Sequence, residues 1–318
     1  MALYNGAMIL PLWFLALCIA LPLTVGLAGR FSHWAPRWGL VDASDRRKAH
    51  HGDVPIGGLA VVMGSLAALV PLMVMEAPVL LWWIGGAVAV ATVGLIDDRQ
   101  ALPPLAKLAV QLGAAVVALQ GGPNVTAIDV LGWTIHLGAL GEIVLIVWIV
   151  GLTNAFNLTD GLDGLACGAA VVLGLAMAIM SAVSGDFGML AFAAALGGTG
   201  LGFLAFNHHP ARLFLGDGGS YFLGFLLALG TLRATQTDGA SNMPLGVLAL
   251  LWGYPIADTL WAIVRRIKGK RPIFSPDRAH LHHRLLNVVG RYRVTVWILH
   301  GLFIVLAGLA VVGWMMIR

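Results

Sequence analysis

Charge is scarce in this chain: 11% of its 318 residues are Asp, Glu, Lys or Arg, against about a quarter in a soluble globular domain. Together with a hydrophobic share of 59%, that scarcity excludes a soluble protein and predicts an integral membrane protein. Cysteine is nearly missing as well. The two present, Cys18 and Cys167, lie inside apolar runs, which excludes zinc-type spacing and a disulfide framework and leaves packing as their role. No Lys or Arg precedes the first apolar run, Ala7–Ala28, and the run is long enough to span. The missing basic leader argues for a retained helix over a cleaved signal peptide.

A helix that crosses the hydrocarbon needs about 20 mostly apolar residues. By that ruler the expectation is an all-α membrane protein of about ten spans. They cover residues 7–28, 55–75, 79–96, 104–120, a short fifth at 141–153, then 165–183, 188–206, 219–233, 244–264 and 294–316. Gly121-Gly122-Pro123-Asn124 is a turn signal, so 121–140 reads as a small hairpin outside the core. With ten spans, every Lys and Arg except Arg233 and Arg318 falls on one side. That bias makes the basic side cytoplasmic and both termini and the hairpin periplasmic. Residues 1–318 then form a single polytopic domain with cytoplasmic loops 30–54, 97–107, 154–163, 207–220 and 265–293. Gly164-x-x-x-Gly168 and Gly198-x-x-x-Gly202 read as close helix packing.

Those loops carry nearly all the chemistry-bearing side chains, and ionisable groups at the edge of lipid are expensive unless they act. Asp97 and Asp98 close the third span; two adjacent carboxylates call for a cation, either a divalent metal or Lys107, with Gln111 on the same helix face as Lys107. The bland alternative is a solvated helix end. In Asn154-Ala-Phe-Asn157-Leu-Thr-Asp160-Gly-Leu-Asp163, both polar pairs are three residues apart and can share a face. A helix expected from about Gly161 would use one or two of them as caps, which leaves the others unexplained.

Asn207-His-His-Pro-Ala-Arg-Leu-Phe-Leu-Gly-Asp217-Gly-Gly-Ser220 combines glycines, a carboxylate and a following helix N-terminus. That combination suits Mg²⁺ on a diphosphate, with a turn capped by Asp217 and Ser220 as the alternative. His280, His282 and His283 lack a nearby thiolate and sit among Arg265, Arg266, Lys268 and Lys270, which fits phosphate better than zinc. Attraction to anionic lipid accounts for part of that basic run. Asp42–Gly58 adds a further Arg/His cluster.

In this order the blocks resemble the polyprenyl-phosphate N-acetylhexosamine-1-phosphate transferase family. The most specific pieces are Asp97-Asp98, Asn157-Leu-Thr-Asp-Gly-Leu-Asp-Gly164, Leu215-Gly-Asp-Gly-Gly-Ser220 and His280-Leu-His-His283. Pro276-Asp-Arg-x-His-Leu-His-His and Arg46-Arg-Lys-x-His50 resemble its WecA-type branch, which takes UDP-N-acetylglucosamine. Leu281 interrupts the three consecutive histidines typical of the peptidoglycan branch, and Arg99 stands where the family often spaces its basic residue further on.

The resemblance implies transfer of a sugar phosphate from a UDP-N-acetylhexosamine to undecaprenyl phosphate in the bacterial inner membrane. It implies Mg²⁺, with Mn²⁺ as a substitute, a homodimer by analogy, and no nucleic-acid partner. Asp97, Asp98, Asp160 and Asp163 would form the catalytic centre, and Asp217 with Asp98 would hold the metal. Lys48, His50, Lys107, Asn154, Asn157, Arg278, His280, His282 and His283 would contact substrates. Two rivals remain. A transporter would place polar groups at mid-membrane, where only Asp258 comes near, and an intramembrane prenyltransferase would space its aspartates four apart.

Overall fold

A computed structural model describes residues 10–42, 54–122, 124–130, 132–236, 242–270, 272 and 279–318. Twelve α-helices are present among them: α1 (Leu10–Trp34), α2 (Gly58–Leu69), α3 (Met73–Arg99), α4 (Pro104–Leu119), α5 (Leu140–Thr159), α6 (Leu165–Ser184), α7 (Phe187–Asn207), α8 (Gly216–Thr235), α9 (Leu245–Leu251), α10 (Gly253–Lys268), α11 (Leu281–Val289) and α12 (Tyr292–Ile317). Each of the ten expected apolar segments is helical. Among the described residues, six helices are long and apolar enough to cross a membrane, namely α1, α3, α5, α6, α7 and α12; α9 with α10 makes up to seven. At about 1.5 Å per residue, the 12 residues of α2 and 16 of α4 are short rods. A single 3₁₀ turn, Val70–Leu72, joins α2 to α3.

The fifth helix departs from expectation: α5 runs on to Thr159, so Asn154 and Asn157 lie on its last turns and not in a loop. The ninth apolar segment is broken, and α9 and α10 meet at 86°. Pro255 explains the break. It lacks the N–H that would reach the Leu251 carbonyl, and its ring crowds that carbonyl. The expected hairpin is there, as β1 (Ala127–Val130) paired antiparallel with β2 (Trp133–His136). A further strand, β3 (Asn242–Pro244), adds to β1 in parallel, which local turn signals did not announce.

At the centre stands α8, whose residues from Gly218 to Leu232 are all buried. Apolar side chains all round its circumference, such as Leu223, Phe225, Leu226 and Leu229, leave no face for solvent or lipid. It packs against α3 and α5, with α2 and α6 also in contact. Gly198 and Gly202 bring α7 against Leu17 and Leu21 of α1, as the small-residue spacing predicts. The buried Trp252, at the α9–α10 break, donates its indole N–H to Thr231 Oγ1 of α8 at 3.0 Å, while that hydroxyl donates to the Leu227 carbonyl. Thr231→Val strands the indole N–H, and an unsatisfied buried donor costs about 1–3 kcal/mol. The thermal unfolding midpoint in detergent is expected to fall accordingly, with Thr231→Ser close to the parent.

Candidate active site

Four of the five polar segments meet at one end of the bundle, built around the first turn of α8. Both oxygens of Asp98, on the last turn of α3, accept backbone N–H groups from that turn: Asp217 at 2.7 Å and Gly218 at 3.0 Å. A helix N-terminus offers unpaired donors and favours a negative charge, so Asp98 acts as the cap that α8 lacks in its own sequence. Gly216 makes the approach possible, since its backbone is left-handed at φ 71° and a Cβ there would lie 2.7 and 2.9 Å from the two Asp98 oxygens.

Asp97 is held separately. Its Oδ1 accepts the Leu102 N–H at 2.6 Å, and its Oδ2 receives Lys107 Nζ at 2.8 Å. Lys107, one turn into α4, also reaches Asp217 Oδ2 at 3.2 Å. One ammonium therefore bridges carboxylates from α3 and α8, with the Tyr221 ring 5.9 Å beneath it. The opposite oxygen of Asp217 accepts the Asn157 amide at 2.9 Å, and the same amide donates to Ser220 Oγ at 2.8 Å. Asn154, one turn earlier on α5, is used differently. It pairs with the buried Gln111 of α4 at 2.6 and 3.3 Å and donates to the Val150 carbonyl, so its amide clamps α4 to α5 instead of facing a pocket.

The Asp160–Gly164 turn is fastened from several distant elements. Asp163 does not cap α6, which begins only at Leu165 and has no side-chain cap. Its Oδ2 instead accepts His209 Nδ1 at 2.7 Å and the Ala211 N–H at 3.1 Å, tying the turn to the loop before α8. The Asp163 N–H donates to the Tyr292 hydroxyl, and the Tyr292 ring stacks on His209 at 3.8 Å. Gly164 N–H donates to Asn207 Oδ1. Asp160 accepts a backbone hydrogen bond from Gly216 and is otherwise set among carboxylates. Burial, then the nearby Asp217, Asp98 and Asp163 carboxylates, raise its carboxyl well above the ordinary range.

The histidine motif opens α11. His280 Nδ1 lies 2.9 Å from Asp258 Oδ2, and the Leu281 N–H donates to Asp258 Oδ1 at 2.7 Å. His282 Nδ1 bonds the Tyr254 hydroxyl at 3.1 Å, and its Nε2 is buried against Gly161, where a Cβ would collide with the ring. The three histidines expected to grip a substrate are thus placed differently from one another. His282 is 1% exposed and packs the motif onto the Asp160 turn, whereas His283 is only half-buried. Lys48, His50 and Arg278 lie outside the described residues. Asp258, Tyr254, His209 and Tyr292 were not anticipated as site residues. The available signal was Asp258, a lone charge in an apolar run with Tyr254 one turn before it.

Among the described residues no three His, Cys, Asp or Glu side chains form a ready-made metal cage. Magnesium does not require one, because it binds through one or two carboxylates and keeps waters and phosphate oxygens. The donor set fits it: an ammonium already occupies the cleft between Asp97 and Asp217, and among the described residues Asp160 is a carboxyl beside other carboxylates with no cation paired to it.

Fold and site together describe a polytopic helical protein whose polar chemistry is gathered at one set of helix ends. Comparison with known proteins narrows the class. Residues 80–235, from α3 to α8, match glycosyl transferase family 4. The chain is 34% identical over 265 residues to the probable undecaprenyl-phosphate N-acetylglucosaminyl 1-phosphate transferase of Bacillus subtilis, covering 82% of this chain and 74% of that one. It is 30% identical over 269 residues to the undecaprenyl-phosphate alpha-N-acetylglucosaminyl 1-phosphate transferase of Thermotoga maritima, covering 84% and 80%. A phospho-N-acetylmuramoyl-pentapeptide-transferase of Moorella thermoacetica is 36% identical over a shorter 214 residues, 61% of this chain and 64% of that one. The chain belongs to glycosyl transferase family 4.

Burial, with His283 adding to it, pushes the His282 imidazole down to about 3 from 6.5. Below pH 6.5 the unfolded chain takes up a proton there that the folded chain refuses, so this site's stability is intact above 6.5 and lost as pH falls. The unfolding midpoint is expected to drop between pH 7 and pH 5, and His282→Gln to flatten part of that drop.

Proposed function

We propose that this protein transfers N-acetylglucosamine 1-phosphate from UDP-N-acetylglucosamine to undecaprenyl phosphate, giving undecaprenyl-diphospho-N-acetylglucosamine and UMP. The reaction would be the first membrane step of a cell-surface polysaccharide, run at the cytoplasmic ends of the helices in the inner membrane. The observation that carries this reading is the meeting of Asp97, Asp217 and Asn157 around Lys107, in a chain whose relatives with this named activity align over more than four-fifths of its length. Placement at helix ends also suits the substrates. A nucleotide sugar arrives from water, an isoprenoid stays in lipid, and neither has to change phase.

The lipid phosphate attacks the β-phosphorus of the donor and UMP leaves. A phosphate monoester has its second pKa near 6 and is largely dianionic at neutral pH, so little deprotonation is asked of the protein. Asp97, already bonded to Lys107 and Leu102, then serves orientation more than proton removal. Asp217 and Asp160 would hold Mg²⁺, in place of the expected Asp98, whose two oxygens take the α8 N–H groups; the ion when bound supplies charge neutralisation for the diphosphate and the departing UMP. Lys107 is poised to exchange a carboxylate partner for a phosphate oxygen as the donor enters. Asn157 keeps Asp217 in one rotamer while this happens.

Detergent-solubilised protein given labelled UDP-N-acetylglucosamine and undecaprenyl phosphate should yield labelled lipid and free UMP. Chelation should stop turnover and Mg²⁺ restore it. Asp217→Asn should cut turnover by roughly 10²–10³-fold, the scale seen when one preorganised electrostatic group is removed, while the protein stays folded with a lowered unfolding midpoint from the lost Lys107 or Asn157 bond. Near-parental turnover of that variant at saturating Mg²⁺ removes Asp217 from the metal site. Preferential use of UDP-N-acetylmuramoyl-pentapeptide overturns the choice of donor.

A further inference from the structure

Asp258 is a carboxylate 2% exposed, set in α10, the second half of the bent apolar pair α9–α10. A buried carboxylate without partners is strongly unfavourable, so what surrounds it is informative. Oδ1 takes the first free backbone N–H of α11, from Leu281, and Oδ2 takes His280 Nδ1. One turn earlier on the same face of α10, the Tyr254 hydroxyl takes His282 Nδ1. A single face of α10 therefore grips both buried histidines, whose rings lie nearly parallel, 5° apart in plane and 5.5 Å between centroids. The 86° break before α10 is what swings this face away from the direction of α9.

The chemistry follows from the acceptor. A carboxylate can only accept, so the proton on a neutral His280 resides on Nδ1, and Nε2 is a bare lone pair. His280 Nε2 has no partner among the described residues, and it is not sealed off as His282 Nε2 is. It is the one ring nitrogen of the buried pair still available to a ligand.

We propose that Asp258 is a positioning residue of this transferase: by accepting from His280 Nδ1 and Leu281 N–H it fixes the tautomer and orientation in which His280 presents its Nε2 lone pair to a hydroxyl or amide N–H of the donor sugar. This rests on the function proposed above. Tyr254 seats the neighbouring His282 as a spacer against Gly161, so the two histidines have separate duties despite their adjacency.

Asp258→Asn tests it, because an asparagine oxygen can still accept the Leu281 N–H while its amide cannot accept from Nδ1. In full-length protein labelled with [15N]histidine, His280 should be Nδ1-protonated in the parent and shift toward the Nε2-protonated form in Asp258→Asn. Tyr254→Phe should leave His280 unchanged. With UDP-N-acetylglucosamine, kcat/KM of Asp258→Asn should fall roughly 10–100-fold, the usual loss when the partner of a functional histidine is removed. In a His280→Ala background the same substitution should add less than about twofold, since residues acting as a unit are not additive.

Fully multiplicative losses, or an Asp258→Asn enzyme within twofold of the parent, overturn the proposal. An Nε2-protonated His280 in the parent overturns it without any variant, so misfolding of Asp258→Asn does not shelter it. Absence of any turnover by the parent would sink the proposed function, while the histidine spectrum would still decide the role of Asp258.

Discussion

The arrangement depends on one contact, the two-pronged acceptance by Asp98 of the first N–H groups of α8. It joins the end of α3 to the start of the most buried helix in the bundle. Because Asp97 is the neighbour of Asp98 and Asp217 is one of the donors, the contact also sets the spacing between two further carboxylates. Lys107 can then span both at hydrogen-bond length. In water such a pair would contribute little, but beside lipid its attraction is less screened and the alternatives are worse. Position and charge balance are thus decided by a helix terminus before any side chain of the motif meets a ligand.

Around this contact the polar groups are organised as pairs, each joining elements far apart in the chain. Gln111 with Asn154 locks α4 to α5; Asp163 with His209 locks the turn after α5 to the loop before α8; Asp258 with His280 locks α10 to α11. Each pair satisfies groups that would otherwise be buried unpaired, and together they hold Asp160 in a niche shared with the Asp217, Asp98 and Asp163 carboxylates. Residues that share a motif consequently divide their labour. Asn154 clamps while Asn157 supports Asp217, and His282 packs while His280 has one ring nitrogen unbonded among the described residues.

Much of this was readable along the chain. The apolar runs, the hairpin at 127–136 and the polar blocks are local properties, governed by solvent preference and turn chemistry, and these appear where expected. The proximity of Asp97, Lys107 and Asp217 was also within reach, since two adjacent carboxylates demand a cation. The break at Trp252 was masked because the run of apolar residues continues through it, and only Pro255 marks it. The length of α5 was underestimated because its last six residues, Asn154 to Thr159, look like loop by composition yet are tied into the helix by neighbours.

Composition and local pattern were enough to determine a membrane-type helical chain with its chemistry in a few polar segments. They act through transfer free energy and backbone periodicity, both of which are carried by neighbouring residues. Which member of each motif takes which role depended on partners more than 20 residues away, such as Gln111 for Asn154, Asp258 and Tyr254 for parts of the histidine block, and Tyr292 for the Asp163 backbone. Hydrogen bonds at about 3 Å between such distant groups exist only once the helices are packed, so their selection belongs to the folded bundle and not to the order of residues.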